Sequence, residues 1–125
     1  MNKPMDYEHL HFLGIKVVYK HMVDNGYQVL NVRKETDVNP QILALKDGRR
    51  YFIVVRTAKF PNMGVLLPHV AANVLEHANK NNATCRFASV GIANADGNTD
   101  EEMAEPQVGG EYYINFKGLQ PFPSY

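Results

Sequence analysis

Arg56 ends the apolar run YFIVVRT, residues 51–57, and Lys59 stands just beyond it; Glu35 and Asp37 lie upstream and Glu76 downstream. Carboxylates gathered beside a basic side chain are the equipment of metal-assisted phosphodiester hydrolysis, because a hard divalent cation takes oxygen ligands and activates water. Scattered along loops and an exposed helix face, the same residues are ordinary solvated charges, and that is the prevailing reading of Glu35, Asp37, Lys59 and Glu76. The histidines do not make a metal site. His9 and His11, two apart on a predicted helix, point in different directions, and His69 and His77 fall at opposite ends of another, so all four read as solvated or capping groups. Cys85 is the only cysteine, which excludes an internal disulfide framework and a cysteine-only zinc site; it reads as a buried structural thiol. Basic side chains offer a second kind of chemistry. Lys46, Arg49 and Arg50 cluster around a predicted hairpin turn, Arg33 and Lys34 lie in the preceding loop, and with Arg56 and Lys59 they could form a local phosphate-binding patch. Such a patch would have to act locally, since 13 basic residues are balanced by 13 acidic ones and give no global positive field. No glycine-rich phosphate loop or serine-histidine-aspartate spacing is present.

The elements that would position these residues follow from periodicity. From Glu8 to Asp24 apolar residues fall at Leu10, Leu13, Val17, Val18 and Met22, with Phe12 and Ile15 widening the stripe, which predicts a helix closed by Gly26. The β-branched stretch YQVLNVR predicts a strand. After the polar loop KETDVNP, the segments QILALK and RRYFIVVRT flank Asp47-Gly48, a dipeptide suited to a tight antiparallel hairpin. HVAANVLEHANKNNA, residues 69–83, predicts a second helix, CRFASVGIA a fourth strand and EYYINFKGL a fifth. The acidic loop 94–110 is long enough to be a lid candidate, and TDEE within it has capping-box spacing for one short helical turn. Residues 119–125 read as an exposed tail. The order is α-β-β-β-α-β-β in one domain, 1–125, of an α/β class with a central mixed sheet flanked by helices. No signal peptide and no apolar run long enough to span a bilayer is seen, so a cytoplasmic protein with no membrane partner is expected.

That order, with a hairpin between the second and third strands, resembles the core of the PD-(D/E)XK nuclease superfamily, the restriction-endonuclease-like fold. In its Holliday-junction-resolvase-like branches a helix ends in a glycine and aromatic pair, the second strand opens with an aspartate, and the third carries an acidic residue, any residue, and lysine. The matching stretches here are HMVDNGYQVLNVR and NPQILALKDGRRYFIVVRT. The resemblance implies that Gln41 occupies the aspartate position, Val54 the acidic position and Arg56 the lysine position, with the helix glutamate of some branches falling near Ile15. It therefore implies a disabled site: one neutral amide oxygen cannot hold magnesium against its hydration shell, and valine offers nothing.

The resulting expectation is a catalytically inactive nuclease-like module, without cofactor, that binds a protein or nucleic-acid partner. The alternative is a divergent magnesium-dependent nuclease using the displaced acids Asp37 and Glu76 with Lys59. Arg56, if buried, needs acceptors, for which the Gln41 oxygen and a carboxylate such as Asp37 or Glu76 are candidates. Expected core positions are Leu13, Val17, Val29, Leu43, Ile53, Val55, Val74, Val90 and Ile114. The fifth strand, with Tyr112 and Phe116, is expected at a sheet edge where it could pair with a second copy as a homodimer.

Overall fold

The computed structural model describes residues 3–123. Helix α1 runs Tyr7–Asp24, strand β1 Gln28–Val32, β2 Ile42–Lys46, β3 Arg49–Lys59, helix α2 Pro68–Lys80, β4 Ala83–Asn94, the short helix α3 Asp100–Met103 and β5 Tyr112–Phe116. The strands form one five-stranded sheet in the order β1-β2-β3-β4-β5. Only β3 and β4 are parallel, joined by the α2 crossover; β1–β2, β2–β3 and β4–β5 are antiparallel. At the β2–β3 turn Asp47 and Gly48 both take positive φ, 52° and 79°, the geometry that lets a two-residue turn follow the twist of its strands.

The two helices bury opposite faces. Leu10, Ile15, Val18 and Met22 of α1 pack on Ile42, Ala44, Ile53, Val55, Val90 and Ile92, while Ala71, Val74 and Ala78 of α2 pack on Phe52, Val54, Cys85 and Phe87. Alternation along β3 sorts its residues between these layers. α1 approaches β3 closely enough that only glycine fits at position 14: a Cβ there would stand 1.7 Å from Thr57 Oγ1. Among the described residues no helix is long and apolar enough to cross a membrane.

Several expectations need correction. Ile114 is not core but 47% exposed, because β5 is an edge strand and only its ends, Tyr112 and Phe116, pack against the α1-side core. Leu13, Val17, Val29 and Leu43 are half-buried; the α1 stripe is turned so that Ile15 lies at its centre. The second helix stops at Lys80, since Asn82 takes a φ of 52° and the chain turns into β4. The tail is not free: Gln120 and Phe87 exchange backbone hydrogen bonds of 2.7 and 2.9 Å, and Phe122 packs on the α2-side core. The rest of that tail, residues 124–125, lies outside the described residues. The acidic loop does hold its short helix, capped by Thr99 Oγ1 accepting from Glu102 N at 3.2 Å. It is also tied to the N-terminal segment through Met5 N to the Pro106 carbonyl and Val108 N to the Lys3 carbonyl.

Candidate functional site

β3 outlasts β2. Their pairing ends at Ile42 opposite Ile53, whereas β4 accompanies β3 on its other side as far as Lys59. From Val55 onward one edge of β3 therefore lacks a strand, and its backbone groups need other partners. Side chains supply them. The fully buried Gln41 places Oε1 2.8 Å from the Val55 N–H, where its amide oxygen accepts the bond that a further β2 residue would have taken. Arg56 Nη1 donates to the Val55 carbonyl at 3.0 Å and to Gln41 Oε1 at 3.3 Å. Arg56 Nη2 donates to Asn39 Oδ1 at 2.8 Å, and Gln41 Nε2 closes the ring by donating to Asn39 Oδ1 at 3.0 Å and the Val38 carbonyl at 2.7 Å. The result is a clasp of three side chains across the open end of the hairpin. Burial pulls the Arg56 guanidinium below the usual arginine value, with nearby Tyr7 acting the other way, yet an arginine keeps its proton and its charge.

Gln41 is thus an acceptor of Arg56, beside Asn39 and a backbone carbonyl; neither of the other candidates, Asp37 and Glu76, takes part. Val54 is fully buried against the α2 layer, whereas Ile15 is buried in the α1 layer, so the position of the helix glutamate faces away from it. These residues do not fit a divalent cation. Gln41 Oε1 already accepts two donors, one from a fixed positive charge. Among the described residues no three His, Cys, Asp or Glu side chains gather so as to hold a metal ion.

The displaced acids are dispersed. Glu76, exposed on α2, pairs with Lys80 at 3.4 Å, and Lys59 lies 4.0 Å from Glu105. Glu35 and Asp37 line an open cavity of about 690 Å³ between the start of α1 and the β1–β2 loop, together with Glu8, His9, Phe12 and Lys34. The Phe12 ring carries the ammonium groups of Lys16 and Lys34 at 5.4 and 5.8 Å from its centroid. The phosphate-binding set is divided as well. Arg49 and Arg50 stand at the hairpin turn, and Arg50 donates to the Asn81 carbonyl, while Arg56 and Lys59 stand at the far end of the 11-residue β3. At about 3.3 Å per residue the two ends are roughly 33 Å apart. Arg33 joins the far end, its N–H bonded to the Gln41 carbonyl at 2.7 Å, and Lys34 follows it.

His11 is the residue that sequence reading misplaced. It is not solvated but completely buried, stacked on Tyr7 with ring centroids 5.8 Å apart, and neither ring nitrogen has a hydrogen-bond partner. Burial holds its pKa below the usual 6.5, the Arg56 charge adds to that, and the Glu35 backbone, outside hydrogen-bonding geometry, works the other way. A signal was present: His11, Ile15, Val18 and Met22 share one helical stripe. Thr57 Oγ1, beneath Gly14 one turn along α1, is likewise buried without a partner. His9 behaves as expected, exposed and bonded to the helix-capping Asp6. His69 and His77 are exposed, and His77 leans on Phe52. Cys85 is free and buried, its thiol pushed up by burial and so kept from the reactive thiolate.

None of the curated proteins matches this chain. A family model described as a domain of unknown function, DUF8840, matches residues 8–122, and the chain belongs to that family.

Proposed function

We propose that the protein is a catalytically inactive module of restriction-endonuclease-like architecture, and that it binds another protein. The observation that carries this reading is the Gln41–Asn39–Arg56 clasp: where the resemblance implies magnesium-binding carboxylates, every polar group is neutral or cationic and is used in holding the hairpin to the β1–β2 loop. The β2–β3 hairpin followed by a helical crossover to a parallel β4 supports the architecture. The division of the basic residues between two ends of β3 weighs against a phosphate-binding face. Exposed Phe12, Tyr19 and Val23 on α1 and Leu30 on β1 are apolar surface of the kind that protein partners cover.

The test is a calorimetric titration of purified protein with magnesium and manganese, run beside cleavage and binding assays on linear, branched and single-stranded DNA. The expected outcome is no isotherm, no cleavage and no salt-dependent affinity. A one-site metal isotherm with cleavage that is lost in Asp37→Ala or Glu76→Ala would replace this reading with that of a divergent magnesium-dependent nuclease. Salt-dependent DNA binding without cleavage would keep the inactive module and change its partner to nucleic acid.

A further inference from the structure

The outer edge of β5 has a defined hydrogen-bonding parity. Ala95 N donates to the Glu111 carbonyl at 2.9 Å, which makes Ala95 and Glu111 a hydrogen-bonded pair of the β4–β5 ladder. Such pairs alternate along an antiparallel ladder, so Glu111, Tyr113 and Asn115 turn their backbone groups toward β4. The other side of β4 agrees: the carbonyls of Ile92 and Val90 point the opposite way, accepting from Phe60 N at 2.8 Å and Gly64 N at 3.3 Å. Tyr112, Ile114 and Phe116 must then direct their N–H and C=O groups outward, from a strand that ends the sheet. Two large apolar side chains stand exposed there, Tyr113 at 61% and Ile114 at 47%, with the exposed Glu111, Asn115 and Lys117 beside them.

The residues along this edge, EYYINFK, are arranged symmetrically about Ile114, with Glu111 three residues before it and Lys117 three after. We propose that β5 pairs antiparallel with β5 of a second copy about a two-fold axis at Ile114. The proposal rests on this edge alone and is independent of the proposed function. In that register every outward-pointing group meets another: Ile114 exchanges two hydrogen bonds with Ile114 of the second copy, and Tyr112 does the same with Phe116 at each end. The exposed Ile114 side chains cover each other, Tyr113 stands opposite Asn115, and Glu111 stands opposite Lys117 on both sides of the axis. A one-residue slip would turn the outward groups past one another, and a two-residue slip would break both charge pairs. The sheet's other edge is unsuited to this. The pairing of β1 with β2 shifts register between Val29 and Asn31, an irregularity of the sort that blunts an edge.

The experiment is sedimentation equilibrium over a range from micromolar to several hundred micromolar, in low salt. Wild-type protein is expected to move from 14.1 kDa toward twice that mass. Ile114→Pro should be monomeric throughout with an unchanged circular dichroism spectrum, since the N–H it removes faces outward. Glu111→Lys sets lysine against lysine at both ends and should weaken association about tenfold, and Glu111→Lys with Lys117→Glu should restore it. Wild type that stays monomeric at the highest concentration overturns the proposal. So does a dimer indifferent to Glu111→Lys, or one that the double reversal fails to rescue. The charge reversal decides the matter whether or not the proline variant folds.

Discussion

Two groups of polar side chains, one partly and one fully buried, meet at the end of β3, and they are built on opposite principles. In the clasp, Gln41, Asn39 and Arg56 satisfy one another and the stranded backbone of Val55, with six contacts between 2.7 and 3.3 Å. On the α1 side His11 and Thr57 are buried, more deeply than the half-buried Asn39 and Arg56, and three of their polar atoms have no partner. A satisfied polar network holds one geometry because each member is expensive to leave alone; an unsatisfied group lowers stability and constrains nothing. The clasp therefore carries the structural role at this end of the sheet, and His11 is a group that folding keeps neutral against its own solvation.

The largest expected effect breaks the clasp at its centre. Gln41→Leu keeps the volume but strands the Val55 N–H, removes one acceptor from Arg56 and takes away the amide that donates to Asn39 and the Val38 carbonyl, at a cost of about 3 kcal/mol in urea-monitored unfolding. A loss under 1 kcal/mol would show that water replaces the side chain and that the clasp is incidental. Next comes Arg56→Lys, which keeps the charge and loses the fork that reaches Asn39, Gln41 and the Val55 carbonyl together; partial exposure of the site tempers the loss to about 1–2 kcal/mol. If lysine serves as well as arginine, charge rather than geometry is what matters at this position.

How far each region was legible in the sequence follows from the range of its interactions. The Asp47-Gly48 turn and the Thr99–Glu102 cap are local, and the residue types alone specify them. Arg56 meeting Gln41 was legible through the spacing of the strands, but Asn39 was not, because its role arises from β3 running past the end of β2. Alternation gave β5 its two faces correctly and still misplaced Ile114, since burial at a sheet edge depends on what covers the strand. His11 was misjudged by residue type although its position in the stripe placed it inside, which shows periodicity outranking chemistry when a helix packs on a sheet.

The smallest effect at neutral pH has the most distinctive signature. His11→Leu fills nearly the same volume, suits a helix and removes two unsatisfied nitrogens, so at pH 7.5 it should leave stability unchanged or raise it by up to about 1 kcal/mol. Its pH dependence separates the variants. The folded-state pKa of His11 is depressed below 6.5 by burial first and by Arg56 second, so the unfolded chain takes up this proton before the folded one does. The wild type keeps its full stability above pH 6.5 and loses it as pH falls toward the folded-state value, by at most about 1.4 kcal/mol per pH unit for one proton. His11→Leu should flatten that acid limb between pH 6.5 and 5, measured as the difference in unfolding free energy between the two proteins. Parallel curves for the two proteins over this range would mean that His11 is hydrated and titrates normally, and the contrast with the clasp would vanish.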